Sequence, residues 1–209
     1  MSTPFPLHYP SDSELLRAEI AAAAARMIAE DGADYGTAKR KAVKLVCGDN
    51  KPRGDVLPDN AQIEEEVRLY QELFFGATQP ARLQQLRGMA AQLMQDLAHF
   101  SPHLTGAVLN GTAGAQSDIY LQLFCDSAKD VEIWLLNKNI RYEVSESRHF
   151  KGRGYDPVET LSFMWHQEGV HLALYQTDDL RGALRNNTGR AERTDLAGLR
   201  ALLLESTAL

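Results

Sequence analysis

Hydroxyl, carboxylate and glycine residues come together in one short segment of the second half of the chain. Gly111 and Thr112 open a turn of small residues, and Ser117 and Asp118 close it at the start of an alternating apolar segment. Glycine lets backbone N–H groups approach an anion closely, and a carboxylate is a ligand that Mg²⁺ accepts. Side chains at i and i+2 on a strand share a face, so Asp118 and Tyr120 should project together.

A purely structural role suits the same residues. Ser117 and Asp118 are common at the end of a turn, and the glycines of this segment can serve the turn alone. Tyr120 suits packing on a sheet. His171, on a later alternating strand, suits a hydrogen-bonded structural residue as well as a ligand. The residue types therefore leave both interpretations open.

The segment 109–121, LNGTAGAQSDIYL, resembles the signature of the polymerase-beta-like nucleotidyltransferase superfamily. In that family a strand ends in a Gly-Ser or Gly-Thr turn, and a Ser-Asp-Ile-Asp-Leu strand follows. The resemblance covers residues 104–176, and the helices before it are also similar to those of small bacterial proteins. It implies that Gly111, Thr112 and Ser117 bind a nucleotide and that Asp118 is a metal ligand.

Two of the three carboxylates of that family are replaced in this chain. Tyr120 stands at the second acid position, and His171 stands at the third, in the strand Val-His-Leu-Ala. A phenol with a pKa of about 10 is neutral at pH 7 and cannot replace a carboxylate on Mg²⁺. The resemblance therefore implies a catalytic set of Asp118, Tyr120 and His171 that holds Mg²⁺ weakly, with Asp118 as its ligand. Glu143 and Glu146, on the next predicted strand, are the alternative acids.

Two groups of cations are candidates for phosphate contacts. Lys151 and Arg153 lie beside glycines in the loop 148–154, which suits a triphosphate-binding loop if it folds toward Asp118. Four later arginines could add to it: Arg181, Arg185, Arg190 and Arg193. The basic helix face 39–44 could bind the phosphates of RNA or DNA. Each group equally suits a solvated surface.

The elements that would position these residues divide the chain in two. Apolar residues at helical spacing predict four helices in residues 1–100, at about 13–31, 35–46, 59–75 and 80–97. Residues 101–209 alternate instead and predict strands and helices. The strands are expected at 104–110, 118–124, 141–145, 161–167 and 170–176, with a hairpin turn at Glu168-Gly169, and the helices at 127–139 and 194–205. The predicted fold class is α+β, a helical N-terminal region followed by a small nucleotidyltransferase-like mixed sheet with flanking helices.

Composition and missing motifs exclude several classes of protein. The formal net charge of -6 argues against a nucleic-acid coat over the whole molecule. Cys47 and Cys125 have no Cys or His at metal-ligand spacing, so neither zinc nor a disulfide framework is predicted. The sequence has no Walker loop, no nucleophile elbow and no H-E-x-x-H motif. Without a secretion signal or a long apolar run, we expect a cytoplasmic protein without a membrane partner.

Three functional hypotheses follow. The first is a nucleotidyltransferase-fold protein that binds a nucleotide and has weakened or lost catalysis. The second is an active, divergent nucleotidyltransferase that transfers a nucleoside monophosphate with a divalent metal bound by Asp118 and a neighbouring glutamate. The third is an adaptor that binds nucleic acid or protein through the basic helix 39–44.

Overall fold

The computed structural model of the chain describes residues 11–33, 35–50, 52–152, 154–181 and 192–207. They fold into two compact units, residues 1–76 and 77–209. Helices make up the first unit, and the second combines helices with a five-stranded mixed sheet. The predicted α+β class is therefore confirmed. The fourth predicted helix belongs to the sheet unit, so the division falls at residue 76, whereas the sequence pattern places it at residue 100.

Three α-helices lie in the described part of the first unit: α1 (Asp12–Asp31), α2 (Tyr35–Cys47) and α3 (Asn60–Phe75). Ser11 begins α1 through a capping box with Glu14, and Gly32 ends it with a φ of 66° that favours glycine. Small and branched apolar side chains form a separate core: Ile20, Ala21, Ala24, Ala25, Ala38, Ala42, Val56, Ile63 and Val67.

Nine helices and strands follow in the described part of the second unit. In chain order they are α4 (Gln79–Asp96), β1 (His103–Thr105), α5 (Gly106–Asn110), β2 (Ile119–Phe124), α6 (Ala128–Asn137), β3 (Tyr142–Ser147), β4 (Val158–Trp165), β5 (Glu168–Tyr175) and α7 (Leu196–Thr207). The strand order is β1-β2-β5-β4-β3. Strands β2 and β5 pair in parallel, and the other pairs are antiparallel.

The sheet has one buried face and one polar face. Alternate apolar residues of β2, β4 and β5 form a single core with the apolar sides of α4, α5, α6 and α7. Since successive side chains of a strand point to opposite faces, the intervening residues face away from this core. Those residues include Tyr120, Ser162 and His171, and this polar face carries the candidate site.

Two predicted elements are wrong in ways that matter for the site. The predicted strand 104–110 ends at Thr105, because Gly106 has a φ of 69° and the chain then turns into α5. The β4–β5 turn lies at His166-Gln167, both with positive φ, and Glu168-Gly169 already belong to β5. Primed turns of this kind match the twist of a hairpin.

No helix in the part of the chain that the structure describes is both long enough and apolar enough to span a membrane.

Candidate functional site

A row of polar side chains crosses the open face of the sheet at right angles to its strands. Tyr120 is the Cα partner of Thr105 on one side and of His171 on the other. Ser162 is the partner of His171, and Glu143 is the partner of Ser162. Each of the five strands contributes one member, so the sheet ladder fixes the order and spacing of the row.

Three side chains at the centre of the face form a continuous hydrogen-bonded chain. His171 Nε2 lies 3.0 Å from Asp118 Oδ2, and His171 Nδ1 lies 2.9 Å from Ser162 Oγ. A carboxylate only accepts, so Nε2 donates to Asp118. In the neutral imidazole Nδ1 then accepts the hydroxyl proton of Ser162. This is a proton path from a hydroxyl to an imidazole that a carboxylate orients.

Residues around this hydrogen-bonded chain hold the imidazole of His171 in place. The ring of Tyr120 stacks on the ring of His171, with centroids 4.5 Å apart and planes 19° apart. Gly169 lies directly beside the carboxylate, where a Cβ would come within 2.5 Å of Asp118 Cγ. Tyr120 is 47% exposed, and the side chains of His171 and Asp118 are 26% and 43% exposed. The site is therefore ordered by its neighbours and still accessible to solvent.

The glycine turn before β2 is stabilised by hydrogen bonds within the turn and by others from α4. Gly111 has a φ of 90° and ends α5. The buried Thr112 donates its hydroxyl to Asn110 Oδ1 at 2.7 Å, and the Ser117 hydroxyl accepts the N–H of Gly114 at 2.9 Å. Gln79 Nε2 donates to the carbonyls of Gly111 and Ala113, at 3.0 and 2.9 Å. The hydroxyls of Thr112 and Ser117 thus act within the turn.

A buried arginine of α4 also supports this turn. Arg87 donates to the carbonyls of Val108 and Leu109, both at 3.0 Å. These carbonyls belong to the last turn of α5, which a helix leaves without internal partners. Burial lowers the pKa of Arg87. Helix α4 therefore helps to fix the backbone of the turn that leads to Asp118.

The neighbouring acids do not join Asp118 at the site. Glu168 accepts two hydrogen bonds from Arg82, at 2.6 and 2.5 Å. Glu143 lies on β3, three strands from β2 and about 14 Å away across the sheet. The sequence pattern places Glu143 and Glu146 on the next strand, but β5 and β4 lie between. Among the described residues, no three His, Cys, Asp or Glu side chains come close enough to share a metal ion.

Lys151 lies near the other end of the sheet. Its Nζ is 2.6 Å from Asp179 Oδ1 and lies over the rings of Phe150 and Tyr155. Phe150 packs on Tyr175, which is four residues beyond His171 on β5, or about 13 Å along the strand. Arg153, Arg185 and Arg190 lie outside the described residues.

Two other arginines of the predicted phosphate site can be placed. Arg181 forms an exposed ion pair with Asp178 at 3.5 Å. The guanidinium of Arg193 lies 4.8 Å from the ring centre of Phe124 and 5.2 Å from that of Phe150. Arg193 therefore belongs to the aromatic cluster that Lys151 also contacts.

Asp179 pairs with Lys151 and His149 in this aromatic cluster. Burial alone would raise the pKa of Asp179, but hydrogen bonds from Lys151 and His149 outweigh it and lower that pKa. His149 Nδ1 accepts the backbone N–H of Lys151 at 3.1 Å. The aromatic side chains of this cluster therefore pack into a small second core, which covers one end of the polar face.

The basic helix 39–44 belongs to the first unit. Lys39 donates to the carbonyl of Pro58, and Arg40 donates to Thr37 Oγ1 at 2.9 Å. Arg40, Lys41 and Lys44 are exposed. Part of the charge run is thus used inside the unit.

Sequence reasoning missed Ser162 and Gly169. Ser162 alternates with the buried Leu161 and Phe163, a pattern that already indicates the open face. A two-residue turn at His166-Gln167 pairs Ser162 with His171, whereas a turn at Glu168-Gly169 would pair His171 with His166. The misplaced turn therefore concealed the hydrogen-bonded chain.

No protein-family model, curated protein or solved structure matches this chain.

Proposed function

We propose that this chain is a nucleotide-binding protein of nucleotidyltransferase-like design whose transfer chemistry is weakened or lost. The observation that carries the proposal is the contact between Asp118 and His171 across the parallel strands β2 and β5. The resembled family has metal-binding carboxylates at the positions of Asp118, Tyr120 and His171. In this chain an imidazole N–H meets the first carboxylate instead.

The low negative charge at these positions supports the proposal that metal binding is weak. Two metal ions and a triphosphate need several carboxylates for charge balance and alignment. Asp118 supplies one negative charge, and its Oδ2 is already an acceptor for His171. Mg²⁺ would therefore have to compete with the imidazole for this oxygen. Glu168 is engaged by Arg82, and Glu143 lies three strands from β2, which disfavours the divergent-enzyme hypothesis.

The polar row supports binding of a base. Tyr120 presents a partly exposed aromatic ring, and aromatic side chains on a sheet face bind bases by stacking, worth about 1–3 kcal/mol per base. Thr105 lies beside Tyr120 in the same row and donates its hydroxyl to the Tyr120 carbonyl, and Ser162 lies two strands away on the same face. A nucleotide is thus expected to contact the row with its base rather than through a metal-bound triphosphate.

The binding test is a titration of the protein with adenosine, AMP, ATP and the other nucleoside triphosphates, with and without Mg²⁺. Tyr120→Ala should weaken binding about tenfold, because a stacking contact is lost. Tyr155→Ala is the matched control, since Tyr155 is a similarly exposed tyrosine in the β3–β4 loop. Absence of saturable binding, or equal losses in the two variants, would overturn the proposal.

The transfer test is incubation with labelled nucleoside triphosphates and Mg²⁺ or Mn²⁺, with pyrophosphate release as the readout. We expect little or no release by the wild type, and stronger Mg²⁺ binding by the Tyr120→Asp, His171→Asp double variant. Rapid release that Asp118→Ala abolishes would instead establish the active, divergent nucleotidyltransferase.

A further inference from the structure

We propose that Ser162 is a nucleophile that takes an acyl group from uncharged carboxylic esters. His171 activates this serine, and Asp118 orients His171. This proposal goes beyond nucleotide binding and rests on the hydrogen-bonded chain alone. The two distances, 2.9 Å from Ser162 Oγ to His171 Nδ1 and 3.0 Å from His171 Nε2 to Asp118 Oδ2, are those of a nucleophile, its base and the group that orients the base.

The three side chains start from rigid positions. Ser162 and His171 are Cα partners in the β4–β5 ladder, and Asp118 directly precedes β2, which pairs with β5 in parallel. The stacked ring of Tyr120 holds the imidazole, and the missing side chain of Gly169 makes room for the carboxylate. Such preorganisation is what a general base needs before a substrate arrives.

The reaction follows from this proton path. Ser162 Oγ attacks the ester carbonyl carbon while its proton passes to His171 Nδ1. The C–O bond to the alcohol then breaks, and the alcohol leaves with that proton, so the acyl group remains on Ser162. Water, with its proton taken by the same imidazole, releases the acid and restores the hydroxyl. No metal, oxidant or second substrate is needed for this cycle.

Charge and backbone geometry limit the substrate and the rate. Asp118, which is bonded to His171, and the exposed Glu143, which is the partner of Ser162, place negative charge next to the nucleophile, so an uncharged acyl group is favoured there. Strand β4 is paired on both sides, so the backbone N–H groups around Ser162 serve the ladder rather than a developing oxyanion. Loss of one such donor costs about 10²–10³ in rate in serine hydrolases, so we expect slow turnover and a measurable covalent step.

The test is covalent labelling with an uncharged fluorophosphonate, in which Ser162 Oγ displaces fluoride and forms a P–O bond. Intact mass gives the rate, and peptide mapping gives the position. We expect the label on Ser162 in the wild type, no label there in Ser162→Ala, and about a 100-fold slower reaction in His171→Gln. Ser145→Ala is the matched control, because Ser145 lies on the same face of the neighbouring strand, with its hydroxyl directed at the carbonyl of Thr160. It should label at the wild-type rate.

Asp118 has a separate readout because it acts through His171. Asp118→Asn should slow labelling and change its dependence on pH, since the amide no longer fixes the protonated nitrogen of His171. Circular dichroism checks that each variant is folded. The position of the label and the pH profile of the labelling rate are measured on the wild type and do not depend on any variant. A label elsewhere in the wild type, a wild-type labelling rate that does not change with pH, or a folded His171→Gln that reacts as fast as the wild type would overturn the proposal.

Discussion

At the residue scale, the contact between Asp118 and His171 depends on the missing side chain at position 169. A Cβ there would overlap the Asp118 carboxyl group. We therefore expect Gly169→Ala to displace Asp118, to break its hydrogen bond to His171 and to lower the free energy of unfolding by about 1–3 kcal/mol. Denaturant unfolding measures the loss, and the NMR signals of the His171 ring nitrogens report the hydrogen bond. Gly154→Ala, which meets nothing within 4 Å, is the control. Equal stability of the two variants would refute this account of Gly169.

A second prediction at this scale concerns the ion pair between Lys151 and Asp179. The folded protein lowers the pKa of Asp179 below its ordinary value of 3.8. The pair therefore stabilises the protein above about pH 4, and this stability is lost as the pH falls and the carboxylate is protonated. Lys151→Met should lower the free energy of unfolding by about 1 kcal/mol at pH 7.

Urea unfolding between pH 7 and pH 3 measures how this difference changes. The gap between wild type and Lys151→Met should narrow as the pH falls below about 4. Lys41→Met, which removes an exposed lysine of α2, should change stability little at any pH. A gap that stays constant down to pH 3 would show that Lys151 stabilises the protein by packing on Phe150 and Tyr155 instead.

At the scale of elements, periodicity predicted most of the helices and strands because they carry strong local signals, but it took α5 for part of a strand. The helices α1 to α4 have apolar stripes and recognisable ends at Gly32 and Asp59. Tyr120 and His171, which the resemblance assigns to one catalytic set, are Cα partners in β2 and β5 and share a face. Local patterns cannot show strand order, however. Strand β3 lies at the edge of the sheet, three strands from β2, which Asp118 directly precedes. The partner of His171, Ser162, therefore became visible only once the pairing was known.

The basic face of α2 is the element with a testable alternative function. Lys39 and Arg40 already have partners within the first unit. We expect nucleic-acid binding at low salt to be weak and nearly the same in an Arg40→Glu, Lys44→Glu double variant. Fluorescence anisotropy with labelled single- and double-stranded oligonucleotides over a range of salt concentrations measures this. Tight wild-type binding that falls with salt and disappears in the double variant would favour the adaptor hypothesis.

At the scale of the whole molecule, each compact unit has a core of its own. The core of the first unit is built from α1, α2 and α3 with Val56, and that of the second from the sheet with α4, α5, α6 and α7. Asp118, Tyr120, Ser162 and His171 all lie in the second unit, as does the arginine of α4 that supports the glycine turn. The candidate site and its supports are thus encoded within residues 77–209.

We therefore expect residues 77–209 to fold without the first unit, because a compact unit with its own buried core can fold alone. Circular dichroism of this fragment should show both helix and strand, and urea should unfold it in one cooperative transition. Leu121→Asp, which places a charge on the fully buried side of β2, is the control and should abolish that transition. Since α4 anchors the turn through Gln79 and Arg87, a fragment that begins at residue 101 should be far less stable than one that begins at residue 77. Equal stability of the two fragments would show that the sheet does not need α4 to hold the turn before Asp118.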